Sequence, residues 1–468
     1  MTRLEPVPTP SPKAPRHAPF QVSDAHLIVA ARGVRSFAYG LLAVALGIAL
    51  LQRGLTPLQI GSLITVSLVG DGCGTYVIAV FADTWGRRRT VVGLALLMAL
   101  TGTLFAVVRF YPALLVVAFF GTLGTSASET APFLPIEQAM LPLTSAPDRR
   151  TMLFARYNLV ATFAGALGAL AAGIPAVLFG RSHRPDDGFS LVFALYVGAA
   201  LVAALLAWRL SPQVEAPGAR RPIAASRWQR LAPPLGRSRG VVLHLAALFS
   251  VDALAGGLVV QSLLVLYFHL RFGVPLAPLA ALFFGANTLS ALSFLAAVPL
   301  ARRFELLNTM VFTHLPSNLL LALVAFMPTF PLAAGVLLLR QALSQMDIPT
   351  RQAYTMALVA PDERTAAASM TSLARSAGSA ASPVLAGFLL QGPLLALGLP
   401  LVLAGAVKSG YDLALWAIFR RIPPPSGHHS TGSRAVAACP TRRAASRHAS
   451  DRPGRSPAPP PVISDRAP

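Results

Sequence analysis

The chain has 468 residues, 54% of them hydrophobic and only 12% charged, with a mean hydropathy of +0.61 and a net charge of +21. A soluble domain carries about a quarter charged residues, so a water-soluble globular protein is excluded and a membrane-embedded one is expected. Lysine occurs only at Lys13 and Lys408, neither within the glycine spacing of a phosphate-binding loop, which argues against ATP-driven transport by this chain.

Residues 1–24 are polar and Pro-rich, read as a disordered cytoplasmic N-terminus without a cleavable signal. A first bundle is predicted over 25–210, with spans near Leu27–Leu51, Ile60–Ala82, Val91–Val108, Ala113–Phe133, Met152–Phe179 and Ser190–Trp208. A basic connector, 211–240, follows. A second bundle is predicted over 241–421, with spans near Val241–Phe268, Leu279–Leu300, Thr309–Met327, Leu332–Val359, Ala366–Leu390 and Leu395–Phe419. Residues 422–468 read as a disordered basic tail. Each run is about 20 residues of Leu, Ala, Val and Gly without alternation, the length of a membrane-crossing helix and not the pattern of a barrel strand. The expectation is an all-α integral membrane protein of twelve transmembrane helices in two pseudo-symmetric six-helix bundles.

The positive charge is placed like a topology signal. Arg87–Arg89 follow the second span, Arg149 and Arg150 the fourth, and Arg302 and Arg303 the eighth. The stretch Arg209–Arg239 holds seven arginines against Glu215, and Arg420–Pro468 nine against two aspartates. The positive-inside rule puts these loops and both termini in the cytoplasm of a cell membrane, with anionic lipid rather than nucleic acid as the partner of the basic segments. Cys73 and Cys439 imply no disulfide framework.

The halves repeat. Residues 134–151, LPIEQAMLPLTSAPDRRT, align without gaps on 348–365, IPTRQAYTMALVAPDERT, with eight identities in eighteen positions. Weaker matches set VRSFAYGL (34–41) on VDALAGGL (251–258) and FADTWGRRRTVV (81–92) on LARRFELLNTMV (300–311). Spans one, two and four thus correspond to seven, eight and ten, a parallel repeat of the kind that handles substrate at its interface near the midplane.

The twelve spans, the repeat and the loop Ala79-Val-Phe-Ala-Asp83-Thr-Trp-Gly86-Arg87-Arg88-Arg89 resemble the major facilitator superfamily, with Ala79 in place of the signature's opening glycine. The resemblance implies a two-bundle fold, secondary transport, and a signature loop (Asp83, Gly86, Arg87, Arg88) that stabilises one conformation of the cycle. It also implies that spans one, four, seven and ten line the central cavity. The fifth span carries Gly165, Gly168 and Gly173 but lacks the proline of the family's drug–proton antiporters, which puts drug antiport in doubt.

Aligning the repeats sets Arg35 against Asp252, Asp83 against Arg302 and Glu137 against Arg351, an inversion of charge at each pair. Intramembrane ionisable groups face the interior and pair. Glu137 and Arg351 are therefore expected either to form a latch between the halves or, alternatively, Glu137 pairs with Arg87 or Arg88. Asp83 is expected to meet a helix N-terminus, that of span eleven near Arg364 being one candidate. Glu129 lacks a charged repeat partner and stands above Pro132 and Pro135, which permit a kink. Arg35, Glu129, Asp252 and Arg340 put one ionisable group on each of spans one, four, seven and ten. Glu129 or Asp252 is the candidate proton carrier, with a static arginine–carboxylate pair as the competing role.

Asp71, Asp347 and Arg156 read as structural pairs, while Gln261, Asn287 and Asn158 serve either a substrate or helix packing. His244, His269 and His314 lack metal-ligand spacing, so no metal or cofactor is expected. The composite reading is a monomeric secondary transporter, not an enzyme. It moves a small organic solute by alternating access, coupled to protons in one version, with efflux the favoured direction. The alternative is a transporter-like sensor or interaction protein.

Overall fold

A computed structural model describes residues 23–124, 131–146, 149–179, 185–215, 238–359 and 363–420. Both tails and most of the basic connector, expected to be disordered or solvated, lie outside the described residues, as does Glu129. The described residues form helices and no strands. The first half contains α1 (Asp24–Gln52), α2 (Pro57–Trp85), α3 (Arg87–Val107), α4 (Tyr111–Phe120), α5 (Leu134–Met140), α6 (Arg150–Ala171), α7 (Ile174–Phe179) and α8 (Pro185–Trp208). The second contains α9 (Arg239–Gly257), α10 (Gln261–Phe272), α11 (Leu276–Phe304), α12 (Leu306–Val324), α13 (Phe330–Leu343), α14 (Asp347–Leu358), α15 (Arg364–Ala381), α16 (Pro383–Leu389) and α17 (Leu399–Phe419).

Nine spans among the described residues are long and apolar enough to cross a membrane, α9 and α10 forming one of them. The apolar helices α4 and α13 are shorter, and α15, with its two arginines and its serines, is not among the nine. Span four, expected to kink at its prolines, and span ten, expected as a continuous helix, are each broken. Helix α4 stops at Phe120 and the helix resumes at Leu134, while α13 and α14 are separated at Ser344–Met346. Pro135 and Pro349 sit at aligned positions just inside the resumed helices. Each lacks the amide proton that would bond back one turn, so the helix restarts where that bond is not needed.

Within the first half α1 packs on α6 and α8; within the second α9 packs on α15, and α12 on α17. The glycines of α6 explain its closeness to α1. A Cβ on Gly40 would lie 1.9 Å from the Gly165 carbonyl oxygen, and one on Gly168 1.9 Å from that of Phe37. Backbone therefore meets backbone along this seam, a small-residue device for packing helices without hydrophobic drive.

Close approaches between the halves gather at one end of the bundle, where α1 finishes and α2 starts. There Gly61 faces the Pro383 carbonyl, Gly387 faces that of Pro57, and Gly47 faces that of Ser262. Thr65 Oγ1 accepts a 3.0 Å bond from the Val384 amide across the same seam. Helix α2 begins there with a reciprocal cap between Thr56 and Gln59 and Pro57 at its first position.

Candidate functional site

The second half, joined by Thr162 of the first, borders an open cavity of about 620 Å³. Its wall is built from helix breaks and polar faces. Gly256, Gly257 and Val260 line it where α9 gives way to α10, and Gln261 opens α10 into it. The close fit there needs a glycine, because a Cβ on Gly257 would lie 2.2 Å from Ser382 Oγ. Helix α11 adds Asn287 and Ser290, and α13 adds Arg340 and Gln341. Ser372, Arg375, Ser376 and Ser379 recur at three- and four-residue spacing and line the cavity from one face of α15. Lys408 of α17 completes the charged wall, while Thr162 of α6 comes from the first half.

Asp252 is the hub of the charges. It is 2% exposed and takes three cationic donors: Lys408 Nζ at 2.6 Å on Oδ1, and Arg375 at 3.0 Å and Arg351 at 3.3 Å on Oδ2. Arg351 also donates to Asp347 at 2.9 Å, one turn back on its own helix. Behind this cluster, buried Asp412 faces His314 Nδ1 at 2.9 Å and accepts from Asn318 Nδ2 at 2.8 Å. Arg340 stands apart. Its Nη1 donates to Gln341 Oε1, its Nε has no partner, and among the described residues it has no carboxylate within 4.0 Å.

The first half holds a separate buried pair. Arg35 donates to Glu137, whose other oxygen accepts from Tyr157 Oη at 2.6 Å, and the Arg35 guanidinium lies 4.2 Å from the Phe133 ring centre. Both members are sealed, at 0% and 1% side-chain exposure. Arg35 therefore does not line the cavity that Asp252, Arg340 and Gln261 share. In this structure Glu137 and Arg351 are not paired with one another: Glu137 is satisfied by α1 and α6, Arg351 by α9 and α14. The alternative partners of Glu137 are otherwise engaged. Arg87 donates to Asp83 at 2.7 Å and to the Ala139 carbonyl at 3.1 Å, and Arg88 lies over the Trp208 ring.

Residues that were not singled out as site candidates from the sequence are Arg375, Lys408, Asp412 and Asn318. Lys408 did carry a signal, being one of two lysines and lying inside an apolar run. Of the expected structural pairs, Asp347 does meet Arg351, whereas Arg156 is exposed on α6.

A family model described as the Major Facilitator Superfamily matches residues 28–346, more than half of the chain. The chain belongs to the major facilitator superfamily. It is accordingly a membrane transporter by family. It is 27% identical over 422 residues to the uncharacterized membrane protein YJR124C of Saccharomyces cerevisiae, covering 85% of this chain and 94% of that one. Its fold is similar to the crystal structure of a mutant nucleoside transporter NupG, with TM-score 0.69 at 13% identity over 85% of this chain and 100% of that one. A D-xylose-proton symporter structure matches at TM-score 0.62 and 15% identity, over 84% and 97% of the two chains.

The major facilitator signature loop is held differently from expectation. Gly86, at φ +94°, joins α2 to α3 in a conformation that suits glycine. The carboxylate at a helix N-terminus is that of Glu215, which accepts the amides of Arg87 at 2.7 Å and Arg88 at 3.2 Å at the start of α3. Asp83 is exposed and pairs with Arg87 one turn away, rather than capping α15.

Proposed function

We propose that this chain is a secondary transporter that carries a small polar organic solute by alternating access, with the 620 Å³ cavity as the place where the solute binds. The observation that carries this reading is the conjunction of a polar cavity at broken helices with contacts between the halves that gather at one end. A cavity of this size suits a small molecule, and unwound backbone inside a membrane persists where it lines such a space. With the arginine-rich loops in the cytoplasm, the sealed end is the outer one.

The test is solute flux into and out of proteoliposomes holding the purified full chain. Saturable counterflow of a small polar solute supports the reading; a panel of solutes without any counterflow overturns it in favour of a sensor or interaction protein. An imposed pH gradient in the same vesicles tests proton coupling, and solute loaded inside right-side-out vesicles tests efflux.

A further inference from the structure

We infer that the solute is an organic anion, recognised through Arg340 by a carboxylate or phosphate group while the amides and hydroxyls of the wall hold the rest of the molecule; this rests on the cavity being the transport site.

Three cations, Arg340, Arg375 and Lys408, line the cavity against the carboxylate of Asp252. That carboxylate is already committed to Lys408 and Arg375, and also to Arg351 behind them. A cationic solute would thus compete with three resident donors for one acceptor. Asp347 is held by Arg351 and acts on Arg340 only through space, without a bond to it, and Asp412 faces His314 and Asn318 outside the cavity wall. A guanidinium without a bonded counter-ion is costly in a low-dielectric site, and an arriving anion lowers that cost. Arginine's planar fork takes carboxylate and phosphate through two parallel bonds, and here its Nε proton is unclaimed.

The rest of the wall has the same polarity. Gln261 Nε2 and Asn287 Nδ2 are buried donors without partners. The cavity also meets the start of α10, where the helix dipole favours negative charge. Ser372 and Ser376 add hydroxyls that bond to either donors or acceptors.

The experiment measures binding to the purified full chain with matched probes that differ only in charge: glucuronate, glucose and glucosamine, and benzoate, benzamide and benzylamine. At least one carboxylate should bind about 10- to 100-fold more tightly than its neutral and cationic partners, the span expected of a bond to a charged group. Arg340→Gln should reduce that anion to the level of its neutral partner, whereas Arg340→Lys keeps most of the preference. Should Arg340→Gln give no folded protein, Ser376→Asp replaces it, adding a carboxylate to the wall and abolishing the same preference.

Carboxylates bound no better than their partners, or a preference that survives both Arg340→Gln and Ser376→Asp, overturns the inference. So does stabilisation by phosphatidylglycerol in nanodiscs with none by the soluble anions, which would make the ligand a lipid headgroup. Flux of neutral or cationic probes alone overturns the anion assignment and leaves transport standing. Selective anion binding without any flux keeps the site and overturns transport.

Discussion

Arg35 and Asp252 occupy equivalent positions in the two repeats with opposite charge, and each finds its counter-charge in its own half. Their partners, Glu137 and Arg351, are equivalent to one another as well. The duplicated element is therefore an ion pair between the first and fourth spans of each half, written with its polarity reversed. In the first half the pair is sealed, with the buried Arg32 guanidinium close by over the Tyr157 ring; in the second it is drawn into the cavity cluster through Asp252.

Removing one member of the sealed pair should be severe. Glu137→Gln leaves the Arg35 guanidinium buried beside Phe133 without a negative partner, an expected loss of about 3–5 kcal/mol. The double variant Arg35→Met/Glu137→Leu removes both charges and should recover most of that loss. Thermal unfolding of purified protein measures both, and a double variant no more stable than the single refutes the coupling.

Exchanging charge between the halves should not rescue anything. Glu137→Arg sets an arginine against Arg35, and Arg351→Glu gathers three carboxylates around the Asp252 site. The two losses should add, as they do for independent sites. The measurement is folded yield of the two single variants and the double; a double variant better than either single would restore a latch between halves.

Around Asp252 the loss should be lopsided. Lys408→Met leaves the carboxylate with Arg375 and Arg351, an expected loss of about 1–2 kcal/mol. Asp252→Asn leaves Lys408 and Arg375 without a carboxylate, beside an Arg351 that keeps Asp347, and should cost at least twice as much. Equal destabilisation in thermal unfolding would show that the hub is not the organising charge.

Two glycine substitutions separate packing within a half from contact between halves. Gly40→Ala forces a Cβ against the Gly165 carbonyl and should lower folded yield. Gly61→Ala forces one to within 2.3 Å of the Pro383 carbonyl across the seam, and should leave yield near normal while reducing flux several-fold. Size-exclusion yield and proteoliposome flux read the two effects, and matching losses in both would contradict the distinction.

Orientation is a further expectation. Reporter fusions after Trp208 and after Arg421 should read the same side as the N-terminus, on the strength of the arginine pattern. A reporter on the opposite side after either residue contradicts it.

The helical bundle and its internal repeat were legible because hydropathy and sequence self-similarity are local properties. Partnership was not. A repeat alignment states which residues are equivalent, and equivalence under a twofold axis places them on opposite sides of that axis. It carries no information about contact, which is why Glu137 was set against Arg351 when Arg35 lies beside it. The prolines did announce an interruption in span four, but the break in span seven, at Leu258–Val260, has no proline and follows two glycines. Arg375 was hidden in a segment whose serines lower its hydropathy, although the spacing of Ser372, Ser376 and Ser379 already marked a single polar face.

The reversed ion pair also constrains how such a gene can change. Copying a short tract from one repeat into the other, across Arg35 or across Glu137 alone, would set two like charges against each other inside the membrane. Only a tract long enough to carry both members, more than a hundred residues apart in the first half, leaves a neutral pair behind. The reversal therefore acts as a lock against homogenisation, and it lets the two halves of a duplicated gene drift apart until one keeps a sealed strut and the other a charged wall.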